Sequence, residues 1–346
     1  AKERNLWFKQ DESYNVIIKK PASDSESKAA PVILQGHIDM VVVKTYDKVK
    51  DMEKEGVDIY IDDGYVKADR TTLGADDGIA VAYALAILDS KDVCHPPIEA
   101  VFTVDEEIGM GGAENIDLSV LKGKKLINID SEEEGILTVG CAGGFGYNTE
   151  IPVTRENAEG EKISIRIHGL LGGHSGEEIH RQRGNANKMM ARLLYHIAEE
   201  KSYRLSEIYG GSKDNVIAME AHASLVAAPE DTEQILAMIR NMEDIWNAEF
   251  MGEEPGLTVK TETEKNTDTV VFSKDTTQKV VGYLKASPNG LKEYSRKVAG
   301  ATETSLNLGV VSMKENGVEA AFLIRSAVDS RKQQALEEVD AVTKAF

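Results

Sequence analysis

The sequence predicts an α/β protein: a domain built on a mixed, mostly parallel sheet, with an α+β domain inserted behind it. Three observations predict this class. Strand and helix signals alternate through residues 1–145, the pattern of strands joined by crossover helices. After Gly143-Gly144 the texture changes to alternating strands and amphipathic helices. Acidic residues and a histidine fall where the apolar runs of the first part stop, and a parallel sheet gathers those strand ends into one crevice.

Taken in order, residues 1–8 read as the tail of a helix followed by a strand. Residues 15–19 (NVIIK) and 32–35 (VILQ) are β-branched runs separated by the polar loop 22–27, and residues 64–68 add a strand beside a turn. Residues 77–88 (DGIAVAYALAIL) form a buried helix that opens on an acid. Residues 98–104 (IEAVFTV) and 125–129 (KLINI) are the continuous apolar runs of strands buried on both faces. In the second part, residues 163–167, 218–227 and 257–263 read as strands, and 185–199, 231–250 and 277–286 as helices. Residues 303–311 and 318–325 form a hairpin through the Glu315-Asn316-Gly317 turn. A helix over residues 334–346 closes the chain. The expected division is residues 1–145, an insert at 146–330, and a short return at 331–346 toward the first domain. The chain opens on Ala and stops inside a helix, which predicts a longer protein continuing at both ends.

Composition narrows the function classes. A chain of 346 residues exceeds one core, so two domains are the default. The net charge of −19 excludes nucleic acid and anionic membrane as partners, because phosphate binding wants a basic face. No apolar run reaches the roughly 18 residues of a membrane span. Cys94 and Cys141 cannot build a disulfide framework, which points to a reducing, cytoplasmic setting.

Four segments carry the chemistry: His37-Ile38-Asp39, Asp76-Asp77-Gly78, Asp105-Glu106-Glu107 and Asp130. Carboxylates crowded at one sheet edge repel one another unless cations neutralise them. Carboxylates alone suit Mg²⁺ or Ca²⁺; the His37 imidazole moves the choice to a pair of Zn²⁺ ions, with Mn²⁺ or Co²⁺ as alternatives. The His-x-Asp spacing puts both side chains on one face of an extended segment, where Asp39 orients the His37 ring. Adjacent Glu106 and Glu107 point differently, so one can ligate while the other stays free as a general base. No histidine follows His222. The remaining histidines, His95, His168, His180, His196 and His222, read as structural.

At these residues the sequence resembles the di-zinc metallopeptidases related to aminoacylase and carboxypeptidase G, and within them the Xaa-His (aminoacyl-histidine) dipeptidase branch. The matching stretches are LQGHIDMV (34–41), TTLGADDGIAVA (71–82), DEEIGMGGA (105–113), NIDSEEEG (128–135) and GCAGG (140–144). They continue with GLLGGHSGEEIH (169–180), GNANK (184–188), ATETSLNLGVV (301–311) and LIRSAVDS (323–330), so the resemblance covers nearly the whole chain.

The resemblance implies that Asp76 bridges two ions, with His37 and Asp130 on one and Glu107 on the other. Glu106 is then the general base and Asp39 the residue that orients His37, while a metal-bound hydroxide attacks the peptide carbonyl. It also implies that residues 146–330 are a lid and dimerisation domain, with His174, Asn215 and Arg325 positioning the substrate; an arginine suits a peptide C-terminal carboxylate. Relatives complete the second ion with a histidine near the chain's end, which this sequence lacks. The implied partners are small peptides and a second copy of the chain, met through the lid. The expected activity is hydrolysis of dipeptides, Xaa-His among them. Deacylation of N-acyl amino acids, tripeptide cleavage, and a noncatalytic metal-binding module are the alternatives.

Overall fold

Three apolar runs rich in β-branched residues become the parallel strands of a five-stranded sheet. Ile98–Thr103 is buried throughout as expected, whereas Lys125–Asn128, at the sheet's edge, is exposed, against the expectation of burial on both faces. The computed structural model describes residues 1–346 apart from Glu26, Tyr46, Glu132, Glu133 and Val139. Glu26 of the polar loop and Glu132 and Glu133 of the 128–135 stretch therefore lie outside the described residues. Two compact units result, Ala1–Thr138 and Val139–Phe346.

In the first unit a 3-10 turn, Lys2–Arg4, precedes β1 (Trp7–Gln10), β2 (Val16–Lys20) and β3 (Val32–His37). A hairpin of β4 (Ile59–Asp62) and β5 (Tyr65–Ala68) stands as its own two-stranded sheet, and α1 (Ala75–Asp89) follows. Then come β6 (Ile98–Thr103), the short α2 (Gly111–Asn115) and β7 (Lys125–Asn128). The sheet order is β1-β2-β6-β3-β7; β3 runs parallel to both β6 and β7, and β2 runs antiparallel to β6. His37 pairs with Thr103 and Gln35 with Asn128, so the segments that follow all three parallel strands leave the sheet at one edge. On one face Ala84 and Leu88 of α1 pack with Ile18, Ala100 and Phe102. On the other, Ile17, Ile33 and Val101 meet Ile116, Val120 and Leu121.

The second unit opens with β8 (Gly143–Pro152) and β9 (Arg155–His168), then α3 (Ala186–Glu200), β10 (Tyr203–Gly210) and β11 (Ala221–Ala227). It continues through α4 (Thr232–Phe250), β12 (Thr258–Phe272), α5 (Lys274–Ala286) and β13 (Gly290–Tyr294). The last elements are β14 (Thr302–Met313), β15 (Gly317–Ser326) and α6 (Asp329–Ala345). The antiparallel sheet runs β12-β9-β11-β10-β14-β15-β8, with β13 beside β14. Alternation decides which face is buried: Ile163, Ile165 and Ile167 on β9, Leu306 and Leu308 on β14, and Phe322 and Ile324 on β15 join one core with α3, α4, α5 and α6. That leaves Ser305, Asn307 and Arg325 on the opposite face.

The compact units divide after Thr138. Helix α6 buries Ala335 and Val339 in the second unit's core, packed against β8, β14 and β15. Strands β4, β8, β10 and β13 were not anticipated. In β8 three glycines, Gly143, Gly144 and Gly146, hide the side-chain alternation that marks a strand. Among the described residues no helix is long and apolar enough to cross a membrane.

Candidate metal centre and substrate residues

The end of β3 delivers His37 almost fully buried, at 1% exposure. Its Nε2 lies 2.9 Å from Asp76 Oδ1 and 3.8 Å from Asp130 Oδ1, while Nδ1 lies 3.0 Å from the Asp39 carbonyl oxygen. That carbonyl can only accept, so Nδ1 carries the proton and Nε2 is left to face the carboxylates as a ligand. Ligand atoms of His37, Asp76 and Glu107 lie within 4.8 Å of one another, and so do those of His37, Asp77 and Asp130. The four residues expected as ligands are thus brought together.

Each is placed by local chain geometry. Asp76 and Asp77 occupy the first turn of α1 with non-helical backbone angles, following Gly74 in the left-handed region, and the peptide between them is cis. Gly36 lets this turn approach β3, since an added Cβ would lie 2.6 Å from Ala80 Cβ and 2.8 Å from Asp77 Oδ2. Asn15, 1% exposed, anchors the loop after β6: its Oδ1 accepts from the Val104 amide at 3.2 Å and its Nδ2 donates to the Gly112 carbonyl at 2.9 Å.

Asp39 does something other than expected with its carboxylate. The contact that orients the ring is its backbone carbonyl; Asp39 Oδ1 is 3.4 Å from Nδ1 and accepts instead from the Glu106 amide at 3.2 Å, and Oδ2 accepts from the Glu107 amide at 3.1 Å. One residue therefore sets the imidazole through its main chain and the two glutamates through its side chain. Asp77 is the residue the sequence reading missed as a donor. It is 1% exposed, its Oδ1 has no hydrogen-bond partner, and its Oδ2 accepts from the His37 amide at 3.3 Å. Its neighbour Asp76 shares the same acidic motif, and nothing in the sequence says which carboxylate turns inward.

The charges are under strain of proximity. Burial pushes the Asp77 carboxyl up to about 6, and Asp130 adds to the rise. Burial also raises Glu106, helped by Asp130, Glu107 and Asp76 and opposed by His37. Asp130 is raised by burial and by Asp76. Burial alone would lower the His37 imidazole, but Asp76, Asp130, the Asp39 carbonyl and Glu106 outweigh it and raise it. An unpartnered buried carboxylate oxygen, a raised set of acids and one imidazole with its Nε2 turned toward them are the donor set a divalent ion fits.

In the second unit β15 and the Gly172–His174 turn bring Arg325 Nη2 to 3.5 Å from His174 Nε2. The Ser175 amide donates to the Asn215 carbonyl at 2.8 Å, and His174 pairs with Val216 as an isolated antiparallel bridge. The three residues expected to hold substrate thus lie in one neighbourhood of this unit. Burial lowers the Arg325 guanidinium, with Asp214, Cys141 and Glu177 opposing. Among the described residues no carboxylate stands within ion-pair distance of it, and its Nε, Ser175 Oγ and Asn215 Oδ1 are buried without partners. By contrast, the structural reading of His222 and His95 agrees with their contacts. His222 stacks on Tyr209 at 4.7 Å and bonds Glu220, while His95 Nδ1 meets the Pro96 carbonyl at 2.7 Å.

A model of the peptidase dimerisation domain matches residues 165–253. The cytosol non-specific dipeptidase of Escherichia coli K12 is 39% identical over 346 residues, covering 99% of this chain and 71% of that protein. The crystal structure of the aminoacylhistidine dipeptidase of Vibrio alginolyticus matches with a TM-score of 0.79 and 38% identity, covering 99% of this chain and 70% of that one. Peptidase T of Escherichia coli O9:H4 is 30% identical over 148 residues, 41% of this chain and 31% of its own length.

Proposed function

Because this chain belongs to the M20 peptidases, in the branch of the cytosol non-specific and aminoacylhistidine dipeptidases, we propose that it is a metal-dependent dipeptidase of broad specificity that accepts Xaa-His. The observation that supports this most is the donor set of His37, Asp76, Asp77, Glu107 and Asp130 at one sheet edge. We assign Asp76 as the bridge between two ions, His37 and Asp130 to one and Glu107 to the other, with Asp77 a further donor within reach. Zn²⁺ is the proposed ion, Mn²⁺ and Co²⁺ being the alternatives an imidazole-carboxylate set accepts.

Bound divalent ions would supply Lewis-acid polarisation of the scissile carbonyl and acidify the attacking water. Glu106 takes the proton from that water and returns it to the leaving amine; a carboxyl already raised by burial suits both transfers. Asp39 keeps Glu106 and Glu107 diverging by holding both amides. Arg325 binds the substrate carboxylate, for which a half-buried guanidinium with no carboxylate at ion-pair distance among the described residues is prepared, and His174 and Asn215 position the peptide. We place the protein in the cytoplasm and expect a homodimer formed through the second unit, which carries the dimerisation-domain match.

Assays of the full chain on Ala-His, a tripeptide and an N-acetyl amino acid test this reading. Hydrolysis of Ala-His that chelation abolishes and Zn²⁺ restores, with about two ions per chain by elemental analysis, is the expected result. No metal-dependent hydrolysis of any dipeptide overturns it.

A further inference from the structure

Asn307 sits on β14 between two core residues, Leu306 and Leu308, yet it faces away from the core and is still only 1% exposed. The loop 213–216 covers it. Its Nδ2 donates to the Asp214 carbonyl at 2.7 Å and to the Val216 carbonyl at 2.8 Å, so both amide hydrogens are spent on the two residues flanking Asn215. Its Oδ1 accepts from Asn185 Nδ2 at 3.3 Å, and Asn185 caps α3 by accepting from the Lys188 amide. Donors on one side and an acceptor on the other leave the amide one orientation.

The strand has been cleared for the loop. A Cβ added to Gly309 would lie 2.5 Å from Asp214 Cα and 2.5 Å from the Lys213 carbonyl oxygen, so the loop rests directly on the backbone. On its far side the loop is tied to the turn that carries His174. The Ser175 amide donates to the Asn215 carbonyl at 2.8 Å, and the Ile217 amide donates to the Gly173 carbonyl at 2.9 Å. The loop is clamped between β14 and this turn, and Asn215 Oδ1 is left buried without a partner.

We propose that Asn307 is a positioning residue for substrate binding: its buried amide sets the height of the 213–216 loop, and through it the place of Asn215. This rests on the reading of Asn215 as a substrate-holding residue. Asn307 touches no substrate and makes no bond to Arg325. A displacement of about 1 Å in a substrate-positioning group can cost about a hundredfold.

The test is a double-mutant cycle on the metal-loaded full chain with Ala-His as substrate. Asn307→Leu keeps the volume and removes both donors; Asn307→Ser keeps one donor and serves should the leucine variant fold poorly. The expected result is a KM raised about 10–100-fold for Asn307→Leu and less for Asn307→Ser, with kcat per folded, metal-loaded chain within twofold. In an Asn215→Ala background the Asn307 effect should fall below twofold. A purely structural role would lower the active fraction, and so the apparent kcat, without moving KM. Unchanged KM in a folded Asn307 variant while Asn215→Ala is impaired overturns the proposal, as does an Asn307 effect that multiplies independently with that of Asn215→Ala. Wild-type kinetics in Asn215→Ala overturn the substrate-holding reading instead, and the proposal with it.

Discussion

Buried carboxylates sit at both ends of the five-stranded sheet, and their surroundings are opposite. At one end Glu99, 3% exposed, accepts from the Lys122 amide at 2.9 Å and the Gly123 amide at 2.8 Å and pairs with Lys19 at 2.9 Å. Burial would raise it, but Lys19 and the two amides outweigh that and lower it. At the other end Asp77, 1% exposed, has an oxygen with no partner and is pushed up to about 6. Burial is the same; satisfaction differs. A carboxylate whose lone pairs are answered by the fold is a structural element, whereas a group of them left unanswered around one imidazole is prepared for a cation from outside.

Glu106→Gln should break that comparison hardest, since it removes a proton acceptor and leaves the remaining donors in place. We expect kcat on Ala-His to fall about 10²–10⁴-fold with metal content unchanged by elemental analysis. Retained activity would remove Glu106 from the role of base. Asp39→Asn comes next: it keeps the backbone carbonyl that orients His37 but replaces one acceptor of the Glu106 and Glu107 amides with a donor. A loss of about 10–100-fold in activity or metal affinity is expected, measured by metal titration beside kinetics. Full affinity would show that the two amides do not need Asp39.

Glu99→Gln probes the satisfied end and should leave kcat per folded chain unchanged while costing about 1–3 kcal/mol of stability in urea unfolding at pH 7. The sign with pH follows from the lowered carboxyl. Its contribution is full above the ordinary glutamate range and is lost as pH falls through the folded value, because the unfolded chain then binds the proton more readily. The difference between wild type and Glu99→Gln should therefore shrink toward pH 3. A difference that stays constant from pH 7 to pH 3 would mean the charge on Glu99 contributes nothing.

Much of the metal edge could be read from the chain because its chemistry lies at strand ends. His37, Glu106, Glu107 and Asp130 each follow an apolar run, and one parallel register gathers them. The inward turn of Asp77 could not be read, since it depends on backbone angles at the start of α1 and on the space Gly36 leaves. The use of Asp39's carboxylate was equally hidden; it bonds main-chain amides 67 and 68 residues away. In the second unit Arg325 and His174 were legible as residue types, but their meeting requires pairing across 151 residues. Asn307 lies in the matching stretch 301–311, but no role could be read for it, because an asparagine within LNLGVV looks like an interruption until the loop above it is seen. The final helix was legible in the sequence but the sheet that receives it was not, since periodicity locates an apolar stripe without saying what packs on it.

The smallest expected effect sharpens the comparison from outside. On the second unit's sheet Arg166 and His222 are cross-strand partners, and both bond Glu220, the arginine through Nε at 2.7 Å and Nη2 at 2.9 Å. The Arg166 hydrogen bond, with help from His222, outweighs the opposing effect of burial and draws the Glu220 carboxyl down to about 2. By pKa alone this acid looks as well answered as Glu99. It is, however, 39% exposed at its side chain, so water and salt screen its pairing in the folded chain. Glu220→Gln should then cost under about 1 kcal/mol in urea unfolding at pH 7, and less in about 0.5 M salt. That small contribution is present above the ordinary glutamate value and fades as pH falls through about 2. A loss as large as that of Glu99→Gln would show that the shift in a carboxyl's affinity for protons, and not its burial, decides its weight in the fold.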